Sequence, residues 1–362
     1  MDFDVKVFRG CEGLEQVKED WGRIHSTMRT PSVNHDWRWY SALGQHVLTE
    51  QMWISCVYEQ EEPLAIFIFL RRQRRFGFIR YWSLELLNHP AYIDTTDALI
   101  KAGHEAKPLL SAAIQAVRDW DICDLEGFGQ RSQLSQLEEV DTGAVVGANK
   151  IAFVSCGNEQ DLATLSKKHL KNINRFMRKA GENHGKVWLE LKSEGSGEEI
   201  FEDFLRVEDA SWKGSKGAKT SIACSGSQGI SFYRQLYRQF GKTNDSNIMF
   251  LRFGDVRVAT AFSLRTGSCW YLYKIGYDEA YAALAPGNIL LKLLVERMAG
   301  DPDVTEINLV TCPEWSDRWH MASEATKNVL IYSNSVVAQT IRILRAMRRK
   351  RGTMVPHAVD RR

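Results

Sequence analysis

Residues 269–291 read CWYLYKIGYDEAYAALAPGNILL and combine three signals in one order. The alternation in residues 269–276 predicts a strand, the next segment is a loop that ends at Pro286-Gly287, and a helix is predicted over 288–299. A helix that opens after Pro-Gly presents N–H groups and the positive end of its dipole, which suit a diphosphate. The order strand, loop, helix makes the Pro-Gly pair informative, since alone it marks an ordinary turn.

The same stretch lies inside a longer series of predicted elements in the second half of the chain. Before it come a strand (186–192), two helices (198–212 and 228–240) and two strands (247–253 and 256–265); after it come a strand (306–310) and a last strand (328–332). Gly254-Asp255 and Thr266-Gly267-Ser268 are the hairpin turns between the three central strands. Up to residue 310 the order is β-α-α-β-β-β-α-β.

The first half repeats this order without any repeat of residues. Its predicted elements are a strand (3–8), helices (14–28 and 35–45), a hairpin (51–58 and 64–71), a strand (76–82), a helix (104–118) and a strand (122–126). A duplicated α/β unit explains two such halves in one chain. We therefore predict an α/β (α+β) protein of two tandem lobes, each a mixed, mostly antiparallel sheet flanked by helices. The predicted divisions are 1–150, 151–335, and a basic C-terminal helix and tail over 336–362.

Composition allows this organisation without selecting a function. The chain has 362 residues, 44% of them hydrophobic and 25% charged, and a formal net charge of +2. That suits an ordinary globular protein with room for two cores. Because basic and acidic residues nearly balance, any polyanion site must be a local cluster.

The cysteines and the start of the chain predict a cytoplasmic protein. The seven cysteines are scattered and form no C-x-x-C pair, which argues against a disulfide framework and a zinc knuckle. The nine histidines show no metal-ligand spacing, so no metal is expected. The first residues lack the basic flank and apolar core of a signal peptide, and the longest apolar run, residues 64–70, is too short to cross a bilayer.

Two segments concentrate positive charge, and each has two interpretations. The first, a predicted basic helix, either binds a phosphate group or is a surface helix with its polar side in water. The second, the C-terminal segment, either contacts anionic lipid or a partner at a membrane surface, or is a solvated helix end. The basic residues are Lys167, Lys168, Lys171, Arg175, Arg178 and Lys179 in the first segment, and Arg342, Arg345, Arg348, Arg349, Lys350 and Arg351 in the second.

Several motifs of the second half resemble one family. They are LSKKHLKNINR (165–175), EDASWKG (208–214), YKIGYD (273–278) followed by Tyr281 and PGNILL (286–291), Asn308-Leu309, and WSDRW (315–319). Together with the element order, they resemble the GNAT acyltransferases, and within them the CelD/BcsL-type acetyltransferases of bacterial cellulose and exopolysaccharide clusters, which are related to the Fem-type aminoacyltransferases. In the first half, Pro31, Trp37 and the region of Asp94 resemble this family more weakly.

The resemblance implies an acyl-CoA co-substrate and no permanently bound cofactor. Its CoA-binding positions fall on Lys274, Ile275, Gly276, Ala285, Pro286, Gly287 and Asn288. Two departures stand out: the family's Gln/Arg-x-x-Gly-x-Gly/Ala loop is here AALAPG (282–287), with only the final glycine kept, and Trp315-Ser316 replaces a frequent Tyr-Lys.

Acyl transfer to an amine needs a polarised thioester, an amine that loses its proton, and correct placement of the two. Asp278 directly follows the central strand and is either the base or a carboxylate that caps a turn. Glu208 lies one helical turn before Trp212 on the same face, and it either acts on the acceptor, forms an exposed salt bridge with Lys213 or packs against the Trp. Deprotonation through water would need neither residue.

The acceptor-binding residues are expected among aromatic side chains, because a Trp ring stacks on the C–H face of a sugar. The expected substrate-binding residues are Trp37, Trp212, Lys213, Tyr277, Trp315 and Trp319, with Asp94 also facing the cleft between the lobes. The expected acceptor is a small or glycan-linked molecule, as in a precursor of envelope or extracellular polysaccharide. A nucleic acid is not expected as a partner, unless the chain is instead a Fem-type aminoacyl-tRNA-dependent ligase. A further alternative is a non-catalytic accessory protein of a polysaccharide synthase.

Overall fold

The computed structural model describes residues 3–29, 31–44, 51–87, 96–135, 137, 143–146, 150–156, 165–193, 197–211, 222 and 226–350. Within these residues, no helix combines the length and the apolar character that crossing a bilayer requires.

The first lobe is built on an eight-stranded sheet. Its strands are β1 (Asp4–Arg9), β2 (Met52–Glu59), β3 (Glu62–Phe76), β4 (Ile79–Leu86), β5 (Leu99–Ile100), β6 (Ile122–Phe128), β7 (Gly143–Val146) and β15 (Lys327–Tyr332), and its helices are α1 (Gly10–Gln16), α2 (Lys18–His25), α3 (Trp37–Gly44) and α4 (Ala106–Ala116). The strand order is β1-β2-β3-β4-β6-β15-β7, with β5 beside β3. Among the described residues of this sheet, β4 and β6 are the one parallel pair.

The second lobe is built on a seven-stranded sheet with the same plan. Its strands are β8 (Lys150–Ser155), β9 (Val187–Lys192), β10 (Ser246–Phe253), β11 (Val256–Thr266), β12 (Cys269–Tyr277), β13 (Glu306–Asn308) and β14 (Ala322–Ala325), and its helices are α5 (Lys167–His184), α6 (Glu198–Asp209), α7 (Gly226–Gly241) and α8 (Pro286–Ala299). The order is β14-β8-β13-β12-β11-β10-β9. In the part of this lobe that the structure describes, β12 and β13 pair in parallel and all other strand pairs are antiparallel. Two mixed, mostly antiparallel sheets flanked by helices confirm the predicted fold class.

The two sheets share the chain in a way that cuts across the sequence. β8 pairs with β13 and β14 in the second sheet, close to the predicted division at residue 150. β15 lies within the predicted second domain but pairs with β6 and β7 in the first sheet. An alternating pattern identifies a strand but not its partner, so the sequence could not assign this strand to a sheet.

The helices lie in layers around the sheets. α3 of the first lobe packs on α7 of the second, where Trp39 meets Phe232 edge-on with ring centroids 5.2 Å apart. Buried residues of α1, α2 and α6 belong to the same core. α4 covers the outer face of the first sheet, and α5 and α8 cover that of the second. Each fully buried Phe contributes about 1.5–3 kcal/mol, so the shared core holds the lobes firmly together.

Several element boundaries differ from the sequence prediction. The helix predicted over 14–28 is two helices, α1 and α2, joined at Val17 with φ −92° and ψ 1°. α6 ends at Asp209, where Ala210 is the C-cap, instead of reaching residue 212. The strand predicted to end at residue 71 continues to Phe76 because β4 pairs with it as far as Ile79. Helix α9 (Val336–Lys350) agrees with the predicted C-terminal helix.

Candidate active site

The second sheet opens between β12 and β13. The two strands pair only where residues 269–271 lie beside β13. β12 then continues to Tyr277 with β11 on its other side. We call the gap between the second half of β12 and the chain that follows β13 the splay.

A tight turn lies just after β13, where its pairing with β12 ends at Asn308. Val310 has a φ of 64°, and the Thr311 N–H donates to the Leu309 carbonyl oxygen at 2.6 Å. A bond between residues two apart around a positive φ is the strained form of the γ-turn, and a β-branched residue rarely adopts this φ. Such strain persists only where the surrounding structure enforces it.

β12 carries a bulge beside the splay. Leu272 pairs with Ser263 and Lys274 pairs with Phe262, so Tyr273 is an extra residue in the ladder. A bulge bends a strand and increases its twist. The bulge lies three residues before Gly276.

The backbone of β12 turns N–H groups toward the splay. The Asp278 N–H donates to the Val258 carbonyl oxygen of β11 at 2.9 Å. Successive N–H groups along a strand point to opposite edges, so that of Tyr277 faces the splay. The predicted segment Lys274, Ile275 and Gly276 therefore forms one wall of the splay.

Helix α6 passes directly behind this wall. A Cβ at Gly276 would lie 3.2 Å from the Cα and 3.3 Å from the Cγ of Glu208. The Glu208 side chain is fully buried, and both carboxylate oxygens lie 3.2 Å from the Ile222 N–H, which donates to them. This burial excludes the exposed salt bridge that the sequence left open, and it keeps Glu208 next to the splay.

Helix α8 begins at the far end of the splay. Ala285 has φ 49° and ψ 51° and turns the chain into the helix, which starts at Pro286. Gly287 lies against Tyr277, since a Cβ there would be 3.2 Å from ring atom Cδ1. The first N–H groups of a helix lie at its positive end. Here Pro286 has no N–H, and those of Asn288 and Ile289 donate to the Ala285 carbonyl oxygen at 3.1 and 3.2 Å. The Gly287 N–H and the positive end of the helix dipole are therefore what this end of β12 offers to a diphosphate.

Asp278 lies at the same end. Its Oδ1 accepts from the Ala280 N–H at 2.9 Å and caps the short 3-10 helix Glu279–Leu284. It follows Tyr273 by five residues, about 16 Å along an extended strand. Of the two roles that the sequence left open, capping a turn is the one that this contact serves.

Helix α5 brings positive charge to the start of α8. The His169 ring lies 5.1 Å from that of Trp319, whose Nε1–H donates to Asn288 Oδ1 at 3.3 Å. On the same face, four to eight residues later, α5 packs Ile173, Phe176 and Met177 into the outer core. The predicted basic residues Lys167, Lys168, Lys171, Arg175, Arg178 and Lys179 are all exposed.

A cleft between the lobes reaches β12 from the opposite side of the sheet. It has a volume of about 270 Å³ and is lined by the starts of β12 and β13 and by first-lobe loops. Arg131 of the first lobe crosses to the second, with 2.6 Å to Glu306 and 3.5 Å to Glu324. Tyr273 stacks on Trp39 with ring centroids 5.3 Å apart. The cleft thus meets the middle of β12, where the splay begins.

A buried pair fixes the first-lobe wall of the cleft. His35 Nε2 lies 3.1 Å from Asp97 Oδ2, and His35 Nδ1 accepts from the Ser32 N–H at 2.9 Å. Because Nδ1 of His35 accepts a hydrogen bond, a neutral His35 ring carries its proton on Nε2, which faces Asp97. Asp97 also accepts from Ser132 Oγ at 2.7 Å. This wall is therefore cross-linked by hydrogen bonds.

Comparison with known proteins agrees with this geometry. Residues 167–318 match the family described as acetyltransferase (GNAT) domain. Among solved structures, FemX has a TM-score of 0.58 at 8% identity, covering 94% of this chain and 100% of that chain. The chain has a GNAT acyltransferase fold.

Two further structures have similar folds. One is the C-terminal domain of a putative lysylphosphatidylglycerol synthetase from Agrobacterium fabrum, with a TM-score of 0.54 at 11% identity over 91% of this chain and 96% of that chain. The other is L-PGS from Bacillus licheniformis, with a TM-score of 0.53 at 12% identity over the same shares. No curated protein matches the sequence. The resemblance to the CelD/BcsL branch stays a prediction.

Burial controls the protonation of the groups on β12 in this GNAT fold. Burial raises the pKa of Tyr271 and Tyr273 well above the usual range, and burial followed by the charge of Glu306 raises that of the Cys269 thiol. All three groups keep their protons at neutral pH. They line the cleft as hydrogen-bonding groups and not as nucleophiles.

The expected aromatic platform does not assemble at the described positions. Trp37 packs edge-on against Trp21, 5.6 Å away, and Trp319 is 1% exposed in the outer core. Trp315 packs against that core, and Tyr277 lies beside Gly287. Trp319 is therefore corrected from a sugar-stacking residue to one that anchors Asn288. Trp212, Lys213 and Asp94 lie outside the described residues.

Sequence reasoning missed the residues that line the cleft. Arg131 and Glu306 are 175 positions apart, and neither belongs to a recognisable motif. Tyr271 and Tyr273 lie in the opening stretch, where alternation with Trp270 and Leu272 gave the only available signal. Val310 gave none, because a valine does not predict a positive φ.

Proposed function

We propose that the protein is an acyltransferase that moves an acetyl or other short acyl group from acyl-CoA to an amine or hydroxyl of an acceptor bound between the lobes. The observation that carries the proposal is the splay. It is a parallel strand pair that separates, with backbone donors on one wall and a helix N-terminus at its end.

The donor would lie along the second half of β12. Its extended arm would hydrogen-bond to the strand edge at Tyr277, and its diphosphate would meet the first turn of α8. From Tyr277 back to Tyr273 is about 13 Å of strand, which the arm must cover to bring the thioester to the bulge. Backbone N–H groups there would polarise the carbonyl as charge develops on its oxygen.

The exposed lysines of α5 would contact the 3′-phosphate of CoA. Lys167, Lys168 and Lys171 occupy the first turns of α5, on the same end of the helix as His169, which faces Asn288 at the start of α8. Cations at this position complement a phosphate. This supports the first of the two interpretations of the basic helix.

The acceptor would enter from the cleft and meet the thioester at the splay. Glu306 and Glu324 supply negative charge and Arg131 positive charge at the cleft wall, a polar lining suited to an amino or hydroxyl group on a sugar. A sugar precursor of envelope or extracellular polysaccharide fits this lining and the family resemblance. Glu208, behind Gly276, is better placed than Asp278 to influence the reacting groups, because a base must lie within hydrogen-bond reach of its proton.

A second candidate function is aminoacyl transfer of the Fem type. It is favoured by the likeness to FemX over 94% of the chain, and by the 3-10 helix Glu279–Leu284, which stands where the family's glycine-containing phosphate loop is expected. The donor would then be an aminoacyl-tRNA instead of acyl-CoA.

Calorimetric titration with acetyl-CoA and with aminoacyl-tRNA tests both candidates. We expect saturable binding of acetyl-CoA, and weaker binding of 3′-dephospho-CoA. The variant Lys168→Ala/Lys171→Ala should weaken CoA binding and remove its advantage over 3′-dephospho-CoA. Arg178→Ala, an exposed cation later in the same helix that pairs with Glu182, is the control and should bind both like the wild type.

Absence of acetyl-CoA binding at millimolar concentration would overturn the primary proposal. Tight binding of aminoacyl-tRNA in its place would establish the second candidate. Binding of neither donor would favour a non-catalytic accessory protein.

A further inference from the structure

The hairpin between β3 and β4 ends in an exposed, purely basic tip. Gly77, with φ 60°, makes the turn, and the Phe78 side chain beside it is fully exposed. Residues 71–82, RRQRRFGFIRYW, contain five arginines and no acidic residue. An exposed phenylalanine among arginines is unusual on a surface that faces only water.

Helix α9 packs beside this tip. The guanidinium carbons of Arg345 and Arg348 lie 5.4 Å and 4.6 Å from the centre of the Phe76 ring. Ala338 and Ile341 are buried in a small core with Tyr81 of β4. The inner face of α9 therefore fixes its second half against the hairpin.

The outer face of α9 is apolar and uncovered. Ile343 is 55% exposed, Leu344 38% and Met347 54%. Residues 336–350 contain no acidic residue. The apolar side chains thus lie among cations, in the pattern of a helix that lies in a membrane interface.

The positive charge of this surface is only partly neutralised. Arg74 binds Glu85 through two hydrogen bonds of 2.7 Å. Across the described part of the chain, no ion pair joins Arg75, Arg80 or Arg342, all of which are exposed. The surface therefore combines unpaired cations with exposed apolar side chains. A lipid bilayer with anionic headgroups binds both: its phosphates attract the cations, each of which gains about 1 kcal/mol near such a surface, and its interior buries the apolar side chains.

We propose that the β3–β4 tip and the outer face of α9 together dock the protein on an anionic membrane surface. Phe78, Ile343 and Met347 enter the headgroup region, and Arg75, Arg80 and Arg342 contact the phosphates. The hairpin tip makes this a two-point contact, which the charge pattern of the C-terminal segment alone does not predict. The proposal is independent of the donor and acceptor of the reaction.

Co-sedimentation of the full chain with vesicles tests the proposal. We expect binding to vesicles of phosphatidylcholine with 30% phosphatidylglycerol at about tenfold or higher affinity than to pure phosphatidylcholine, and weakening as salt is raised. Phe78→Ser and Met347→Ser should each weaken binding about tenfold, which is the scale of one buried apolar side chain. Val256→Ser, a substitution of another exposed apolar residue (47% exposed) on a different hairpin, should bind like the wild type.

The experiment must also distinguish binding to a lipid surface from binding to a free polyanion such as tRNA. If tRNA binds as tightly as the vesicles and Phe78→Ser changes neither affinity, the surface recognises charge alone and the proposal is overturned. Equal binding to neutral and anionic vesicles, or none to either, also overturns it. Thermal melting of each variant confirms that the fold is intact, since these side chains are exposed. Acyl-CoA binding is unaffected by any of these outcomes.

Discussion

Gly276→Ala tests whether α6 lies against the wall of the splay. The added Cβ would lie 3.2 Å from the Glu208 Cα and 3.3 Å from its Cγ, closer than ordinary van der Waals contact. One of these neighbours belongs to the backbone of α6, so the clash cannot be relieved by a side-chain rotation. Either α6 or β12 must move by a few tenths of an ångström.

The expected cost is about 1–3 kcal/mol, the range for one extra methyl group forced into a packed site. For a domain of 150–250 residues this corresponds to a Tm lower by about 2–4 °C per kcal/mol. The same movement changes the edge of β12 at Tyr277, so we expect weaker acetyl-CoA binding in the variant as well.

Differential scanning calorimetry and acetyl-CoA titration measure the two effects. Gly287→Ala is the comparison, because its Cβ would meet the ring of Tyr277 at 3.2 Å, and a ring edge can tilt. We expect it to lose less stability than Gly276→Ala. A Gly276→Ala protein with the Tm and the acetyl-CoA affinity of the wild type would refute the close packing of α6 on β12.

Three further predictions concern stability. Burial, with nearby carboxylates, raises the pKa of Asp124 to about 8. As the pH rises, the unfolded chain therefore loses the Asp124 proton at a lower pH than the folded protein does, and stability falls between about pH 4 and pH 8. Asp124→Asn should reduce that fall, measured as Tm against pH. Burial opposes ionisation of Glu190, but hydrogen bonds from arginines outweigh it and lower its pKa to about 2. The ionised Glu190 therefore stabilises the fold fully above about pH 4.5, and this stabilisation is lost as the pH falls toward 2. Glu190→Gln should flatten the acid side of a plot of Tm against pH. At Gly181 in α5 an added Cβ would meet nothing within 4 Å, so Gly181→Ala should stabilise the protein by about 1 kcal/mol. Urea unfolding measures this change. A less stable variant would contradict the open space around Gly181.

Local patterns predicted the elements that are long and regular. The hairpins around Gly254 and Gly267 followed from turn residues between alternating strands, and both turn glycines have a positive φ in the structure. The amphipathic pattern of α5 was confirmed by Ile173, Phe176 and Met177 in the outer core. These features depend on residues close in sequence, so periodicity and turn chemistry are sufficient to find them.

The candidate site was predictable only on its donor side. The strand, loop and helix of residues 269–291 are contiguous, and the structure places their predicted residues along one edge. The acceptor side required pairs such as Arg131 with Glu306, which no local pattern connects. The aromatic residues show the same limit of local patterns. Trp319 is of a residue type that is common in sugar-binding sites, but the tertiary structure buries it in the core.

The sequence by itself determined two lobes of one element order, a central strand that leads into a helix N-terminus, and two segments of concentrated positive charge. Only the tertiary structure decided that β15 returns to the first sheet, that β12 and β13 stop pairing just before Val310 takes a positive φ, and that α9 extends the basic tip of the β3–β4 hairpin. The physical reason is that backbone periodicity and turn preferences act over a few residues. Sheet partners, strained turns and shared surfaces are instead selected by the packing of segments that are far apart in the chain.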